Sequence, residues 1–123
     1  MKSILGNTRK PDVIFHASGR INITSGVASR LRLSAGDVID ILTDGEEYYL
    51  YVKHTAPVVK GKHEGAVYYS NKHGKHCRAS SVRLCREILK ICNADGIARL
   101  SVGETITDEE GRELIPIITK HLL

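Results

Sequence analysis

Apolar and polar residues alternate in short runs along most of this chain, and two stretches with a helical period interrupt them. Val13 and Phe15 stand opposite Ile14 and His16. After Ala17-Ser18-Gly19 the alternation resumes, with Ile21 and Ile23 against Arg20, Asn22 and Thr24. A period of two sends neighbouring side chains to opposite faces of a strand, so these runs predict two strands joined by a glycine turn. Val27 and Leu31, four apart, with Leu33 behind them, predict a short helix with Ser25 as its N-cap and with Arg30 and Arg32 turned to solvent. Beyond Gly36-Asp37, Ile39 and Ile41 face inward. Asp44-Gly45 then turns the chain into a return strand from Glu47 to Val52, which carries Tyr48, Leu50 and Val52 on one face.

The order of events then recurs. Residues 55–65, with Pro57, Gly61 and Gly65, read as a linker. Ala66 to Ser70 predicts a tyrosine-rich strand, Asn71 to Gly74 a turn, and Lys75 to Arg78 a short strand. Ser80 is placed to cap a longer helix whose Val82, Cys85, Ile88, Leu89 and Cys92 share one face. Asp95-Gly96 leads to a strand from Ile97 to Val102. A turn at 107–111 leads to a last strand from Glu113 to Thr119, where Pro116 predicts an edge position. Displacing the first half by 55 positions sets Gly74 on Gly19, Lys75 on Arg20, Ser80 on Ser25 and Val82 on Val27. The pattern therefore predicts a β-rich α+β fold: a small barrel made of two strand-strand-helix-strand-strand units, residues 12–54 and 66–123, sharing one core behind a basic N-terminal arm at 1–11.

Composition narrows the class. At 123 residues, 41% hydrophobic and 26% charged, the chain reads as an ordinary globular protein. No run approaches the roughly 20 apolar residues of a membrane helix, and the N-terminus lacks the apolar core of a signal peptide, so a cytoplasmic location and no membrane partner are expected. Three cysteines are too few for a disulfide scaffold. The net charge of +4 is unevenly spread. From Lys53 to Cys92 the acidic residues are Glu64 and Glu87, against nine lysines and arginines, while after Asn93 acids prevail. Segregation of this kind suits a polyanion on one face.

Gly19-Arg20-Ile21-Asn22-Ile23, followed by Val27, Leu31, Leu33, Gly36-Asp37-Val38 and Asp44-Gly45, resembles the AbrB/SpoVT family of swapped-hairpin transcription regulators. The resemblance is ungapped from Gly19 to Asp37 and covers about Asp12 to Val52; the second half joins it through the repeat. It implies a duplicated swapped-hairpin barrel, either a homodimer or a pseudo-dimeric monomer, that binds duplex DNA as a transcriptional regulator or antitoxin-like protein. Thr24 stands where the family usually has proline. Ala28 stands where it usually has arginine, an arginine that the second unit supplies as Arg83. Arg20, Asn22, Arg30, Arg32, Lys75, Arg78, Arg83 and Arg86 are the expected DNA contacts, with the cations on phosphates and Asn22 at a base edge.

Other chemistries find less in the chain. His73, His76, Cys77, Cys85 and Cys92 include no CxxC pair, and the last two fall on the apolar helix face, so no metal or other cofactor is expected. No GxSxG, GxGxxG or phosphate-loop motif is present, and the chain is not read as an enzyme. A duplicated barrel that binds a protein partner instead of DNA is the alternative.

Overall fold

The computed structural model describes residues 10–54, 64–69, 77–120 and 122. Within them, nine strands and two helices form a small, strand-rich α+β domain around a nearly closed antiparallel sheet. The strands are β1 (Val13–His16), β2 (Arg20–Ile23), β3 (Val38–Thr43), β4 (Tyr48–Lys53), β5 (Tyr68–Tyr69), β6 (Cys77–Ser80), β7 (Ile97–Val102), β8 (Ile106–Thr107) and β9 (Glu113–Ile118). Helix α1 (Ser25–Arg30) follows β2, and α2 (Val82–Ile91) follows β6.

Neighbours run β3-β4-β9-β7-β1-β2-β6-β5, with β8 added beside β9. The ends of this path meet. Val38 bridges Ala66, Ile39 donates its N–H to Gly65 O at 2.9 Å, and Val67 donates to Asp37 O at 2.8 Å. The alternation anticipated along β1 and β2 is what fills the inside: Val13, Phe15, Ile21 and Ile23 are wholly buried. One continuous core joins them to Val27, Leu31, Leu33, Ile39 and Leu50 from the first half, and to Cys85, Ile88, Leu100, Ile115 and Ile117 from the second. Burying side chains of this size stabilises by roughly 1.5–3 kcal/mol each.

Three local expectations are corrected. Ser25 and Ser80 are not the caps. Thr24 occupies the N-cap of α1, and its hydroxyl donates to Asp12 O instead of capping; Ser81 caps α2, with its Oγ accepting from Leu84 N at 3.1 Å. Val82 leaves the apolar face of its helix and is 41% exposed, because α2 buries Cys85, Ile88 and Leu89 against the sheet. Pro116 is not on an edge. Strand β9 lies between β4 on one side and β7 with β8 on the other. The proline is tolerated because its C=O, which accepts from Gly103 N at 2.8 Å, faces the break between β7 and β8. Its missing N–H faces the same gap, where the ladder asks for none.

Gly19 connects the β1–β2 turn to α2. Its φ is +99°, its carbonyl accepts from Ser81 N at 2.8 Å, and an added Cβ would lie 2.8 Å from Val82 Cγ2. A residue without a side chain is required on both counts. The turn is thereby held against the start of α2, and with it the orientation of the polar face of β1 and β2. The 1–9 arm, most of the 55–65 linker, and His73, Lys75 and His76 lie outside the described residues.

Candidate functional site

Inward alternation leaves the opposite face of the sheet to polar residues. Register aligns them in rows across the strands. Arg99 on β7 pairs with Ile14 on β1, Ile14 with Asn22 on β2, Asn22 with Arg78 on β6, and Arg78 with Tyr68 on β5. Beside this row, Ile97 pairs with His16, and Arg20 with Ser80. The outer face of five consecutive strands thus carries Arg20, Arg78, Arg99, His16, Asn22 and Tyr68, drawn from both halves of the chain. Tyr68 is 47% exposed. Strands lie about 4.8 Å apart, so Arg99 and Arg78, three strands from one another, are on the order of 14 Å apart at Cα.

The electrostatics of this face are one-sided. Among the described residues no carboxylate pairs with Arg20, Arg78 or Arg99. His16 sits between them and registers their field. Burial, and then the charges of Arg20, Arg99 and Arg78, hold its ring below the usual imidazole range. Its Nε2 lies 3.2 Å from Asn22 Nδ2 and 3.5 Å from Arg20 Nη2. Asn22 Oδ1 is buried without a hydrogen-bond partner.

The remaining expected contacts are placed elsewhere. Arg30 packs along the β7–β8 connection, its Nη2 donating to Gly103 O at 2.6 Å and to Thr105 Oγ1 at 3.1 Å. Arg32 donates to Glu113 Oε1 at 2.6 Å. Arg83 is gripped by Glu64. Its Nε and Nη2 meet the carboxylate at 3.0, 3.1 and 2.7 Å, and Ser81 Oγ donates to the same carboxylate at 2.7 Å. The Arg83 fork, followed by Ser81, pulls Glu64 down to about 2. Arg86 is exposed on α2, and Lys75 is outside the described residues. Of the eight expected residues, the structure brings Arg20, Asn22 and Arg78 together. It adds Arg99 and His16, which sequence reasoning passed over as contacts, and Tyr68 of the tyrosine-rich strand. Alternation around Ala98 and Leu100 already turned Arg99 outward, but the register that sets it beside Ile14 is not a local property.

Two grooves carry paired charges. One, of about 450 Å³, lies along the seam and is lined by Asp40, Lys53, Glu64, Ser81 and Arg83. The other, of about 290 Å³, is lined by Arg32, Tyr51, His54 and Arg112. At its rim His54 Nδ1 lies 2.9 Å from the buried Asp37 carboxylate, which also accepts from Ser34 N at 2.9 Å. Among the described residues no cluster of histidine, cysteine and carboxylate has the makings of a metal site, and no helix is long and apolar enough to cross a membrane.

The fold and face together define a barrel-like α+β domain with a sheet surface whose three arginines are paired with no carboxylate among the described residues. No family model, no curated protein and no solved structure matches the chain.

Proposed function

We propose that this protein is a duplex-DNA-binding regulator of the AbrB/SpoVT-like kind, duplicated within one chain, and that it binds through the outer face of β7-β1-β2-β6-β5. The observation that carries this reading is the gathering of Arg20, Arg78 and Arg99 on one face where, among the described residues, no carboxylate pairs with them, while the exposed side chains of Arg30, Arg32 and Arg83 are each bonded to groups of the protein itself. Cations on the order of 14 Å apart reach the phosphates flanking a groove about 12 Å wide. Asn22 lies between them in the row, with its amide against His16. Phosphate contacts of this kind set affinity and orientation, and base-edge contacts set sequence preference.

The topology supports the duplicated reading. Exchanging β1, β2, β3 and β4 with β5, β6, β7 and β9 leaves the cyclic order of neighbours unchanged, and the antiparallel pairs β2–β6 and β4–β9 straddle the two-fold relation. Closure of the path within one chain favours a pseudo-dimeric monomer. Its place in the cell is that of a transcriptional or antitoxin-like regulator, and the Tyr68 end of the row is where a protein partner would meet the DNA-bound face.

The test is the salt dependence of binding to a short labelled duplex. Each phosphate neutralised contributes about 0.9 to the slope of log affinity against log salt. The three arginines therefore account for a slope of about 2.7, which is on the order of 40-fold between about 50 and about 200 mM salt. Replacing Arg20, Arg78 and Arg99 together by glutamine is expected to remove that part of the slope, and replacing Arg30 and Arg32 to leave most of it. Absence of binding at low salt overturns the proposal.

A further inference from the structure

His16 stands at the centre of the cationic face, and its contacts favour the uncharged ring. Arg20 Nη2 approaches Nε2 at 3.5 Å, and a guanidinium can only donate. Nε2 therefore presents a lone pair. Asn22 Nδ2 lies 3.2 Å from the same atom and donates to that lone pair when Nε2 carries no proton. These contacts suit the neutral ring with its proton on Nδ1, the form that burial and the neighbouring arginines also favour. Holding the amide this way round leaves Asn22 Oδ1 buried and unmet, so the amide has a donor to gain if Nε2 acquires a proton and it turns over.

The groups that face the ring are known from each side. Strand β2 presents Arg20 and Asn22, β7 presents Arg99 and Ile97, and β6 presents Arg78 across Asn22. Helix α2 brings Cys85 to the β1–β2 turn, where its thiol donates to Arg20 O at 3.6 Å; burial pushes that thiol up to about 11 and keeps it uncharged. The charges acting on His16 are all positive, and together with burial they oppose its protonation.

We propose that His16 is the positioning residue of this face and that it couples polyanion binding to proton uptake. The neutral ring holds Arg20 and Asn22 against β1. A phosphate backbone draws Arg20 off the ring and screens Arg78 and Arg99. Nε2 then takes one proton from the solvent, the Asn22 amide turns its oxygen to the new N–H, and the face gains a cation under the bound polymer. No covalent bond between heavy atoms changes. The inference rests on the DNA-binding reading above.

The sign follows from linkage. A ring that is harder to protonate free than bound takes up a proton on binding, so affinity rises as pH falls through the bound-state value and levels off below the free-state one. Each unit of difference between the two is worth a factor of about 10.

The experiment measures fluorescence anisotropy of a fluorescein-labelled duplex at fixed salt from pH 8 to pH 5.5 on the whole chain. Wild type is compared with His16→Gln, which keeps an acceptor and cannot titrate. Wild type is expected to gain roughly 10-fold in affinity over that range, and His16→Gln to stay within about 2-fold. The other histidines act equally on both proteins and cancel in the comparison. Ring ¹⁵N NMR of wild type, free and bound, gives a readout that does not depend on the variant folding. A neutral Nδ1–H form is expected free, with titration moving to higher pH when duplex is added. A bound complex in which the His16 titration does not move, or equal pH dependence in a folded His16→Gln, overturns the inference and leaves DNA binding standing. No binding at any pH overturns both.

Discussion

Closure of the sheet passes through Gly65, and replacing it with alanine tests whether that seam holds the domain together. Gly65 has φ of +81° and donates its N–H to Ser80 O at 2.8 Å, while its carbonyl accepts from Ile39 N at 2.9 Å. It thus touches β6 and β3 at once. An added Cβ would lie 2.6 Å from Ile39 O, a backbone atom that cannot swing aside as a side chain does. Alanine at positive φ costs about 1–2 kcal/mol. Forcing Ile39 O away strips the neighbouring seam hydrogen bond from buried groups, at about 1–3 kcal/mol. The expected loss is therefore about 2–5 kcal/mol. Gly45 is the control, because its φ is +96° but its Cβ would meet nothing within 4 Å. Gly45→Ala should show the backbone part alone. In urea, with an m-value of about 1.5 kcal/mol per molar, the Gly65→Ala midpoint should fall about 1–2 M below that of Gly45→Ala. Equal midpoints for the two variants would refute the reasoning, since the seam would then contribute nothing.

Other consequences are simpler to state. Glu64, held at about 2 by Arg83 and Ser81 against an ordinary value of 4.5, stabilises the fold above pH 4.5, and that contribution is lost as pH falls from 4.5 toward 2. Glu64→Gln should flatten the acid limb of a circular-dichroism titration in that window, and an unchanged limb would show that the Arg83 fork is immaterial to stability. Cys77 and Cys85 are wholly buried, and burial raises the Cys85 thiol to about 11, whereas Cys92 is partly open. A native-state reaction with a thiol reagent at pH 8 should therefore modify Cys92 first and the other two only on unfolding. Comparable rates at Cys85 and Cys92 would mean that α2 detaches from the sheet.

What the sequence disclosed and what it withheld divide along a physical line. Alternation at Val13–Phe15 and Ile21–Ile23, and the turn residues Gly19, Gly36 and Gly45, are local, and the strands and inward faces read from them are found in the structure. Asp37 follows Gly36 in a turn and accepts from Ser34 N, a local bond, whereas its other partner, His54, is 17 residues away. Ion pairing is the least local property of all. Arg32 and Glu113 are separated by 81 residues and Arg83 and Glu64 by 19, so nothing short of the register could tell a satisfied cation from an unsatisfied one. Arg99 was passed over because it lies in the acidic C-terminal stretch, and the sheet removes it from that company. Pro116 misled because a gap in the neighbouring strands has the same effect as an edge.

That separation between satisfied and unsatisfied cations also changes what the net charge means. A value of +4 is modest, and the excess of lysine and arginine between Lys53 and Cys92 suggests that α2 and its approaches carry the field. In the folded protein Arg83, on α2, is cancelled at contact distance by Glu64, and a cation paired so closely projects little beyond a Debye length of about 8–10 Å. Arg20 and Arg78 come from one neighbourhood of the sheet and Arg99 from another, and no carboxylate among the described residues cancels them. Their potentials add at His16, among the described residues the one side chain on the face able to answer with a change of charge near neutral pH. The surface with the strongest claim on a polyanion is therefore the one where the first half of the chain contributes as much as the second, and a count of charges along the sequence does not locate it.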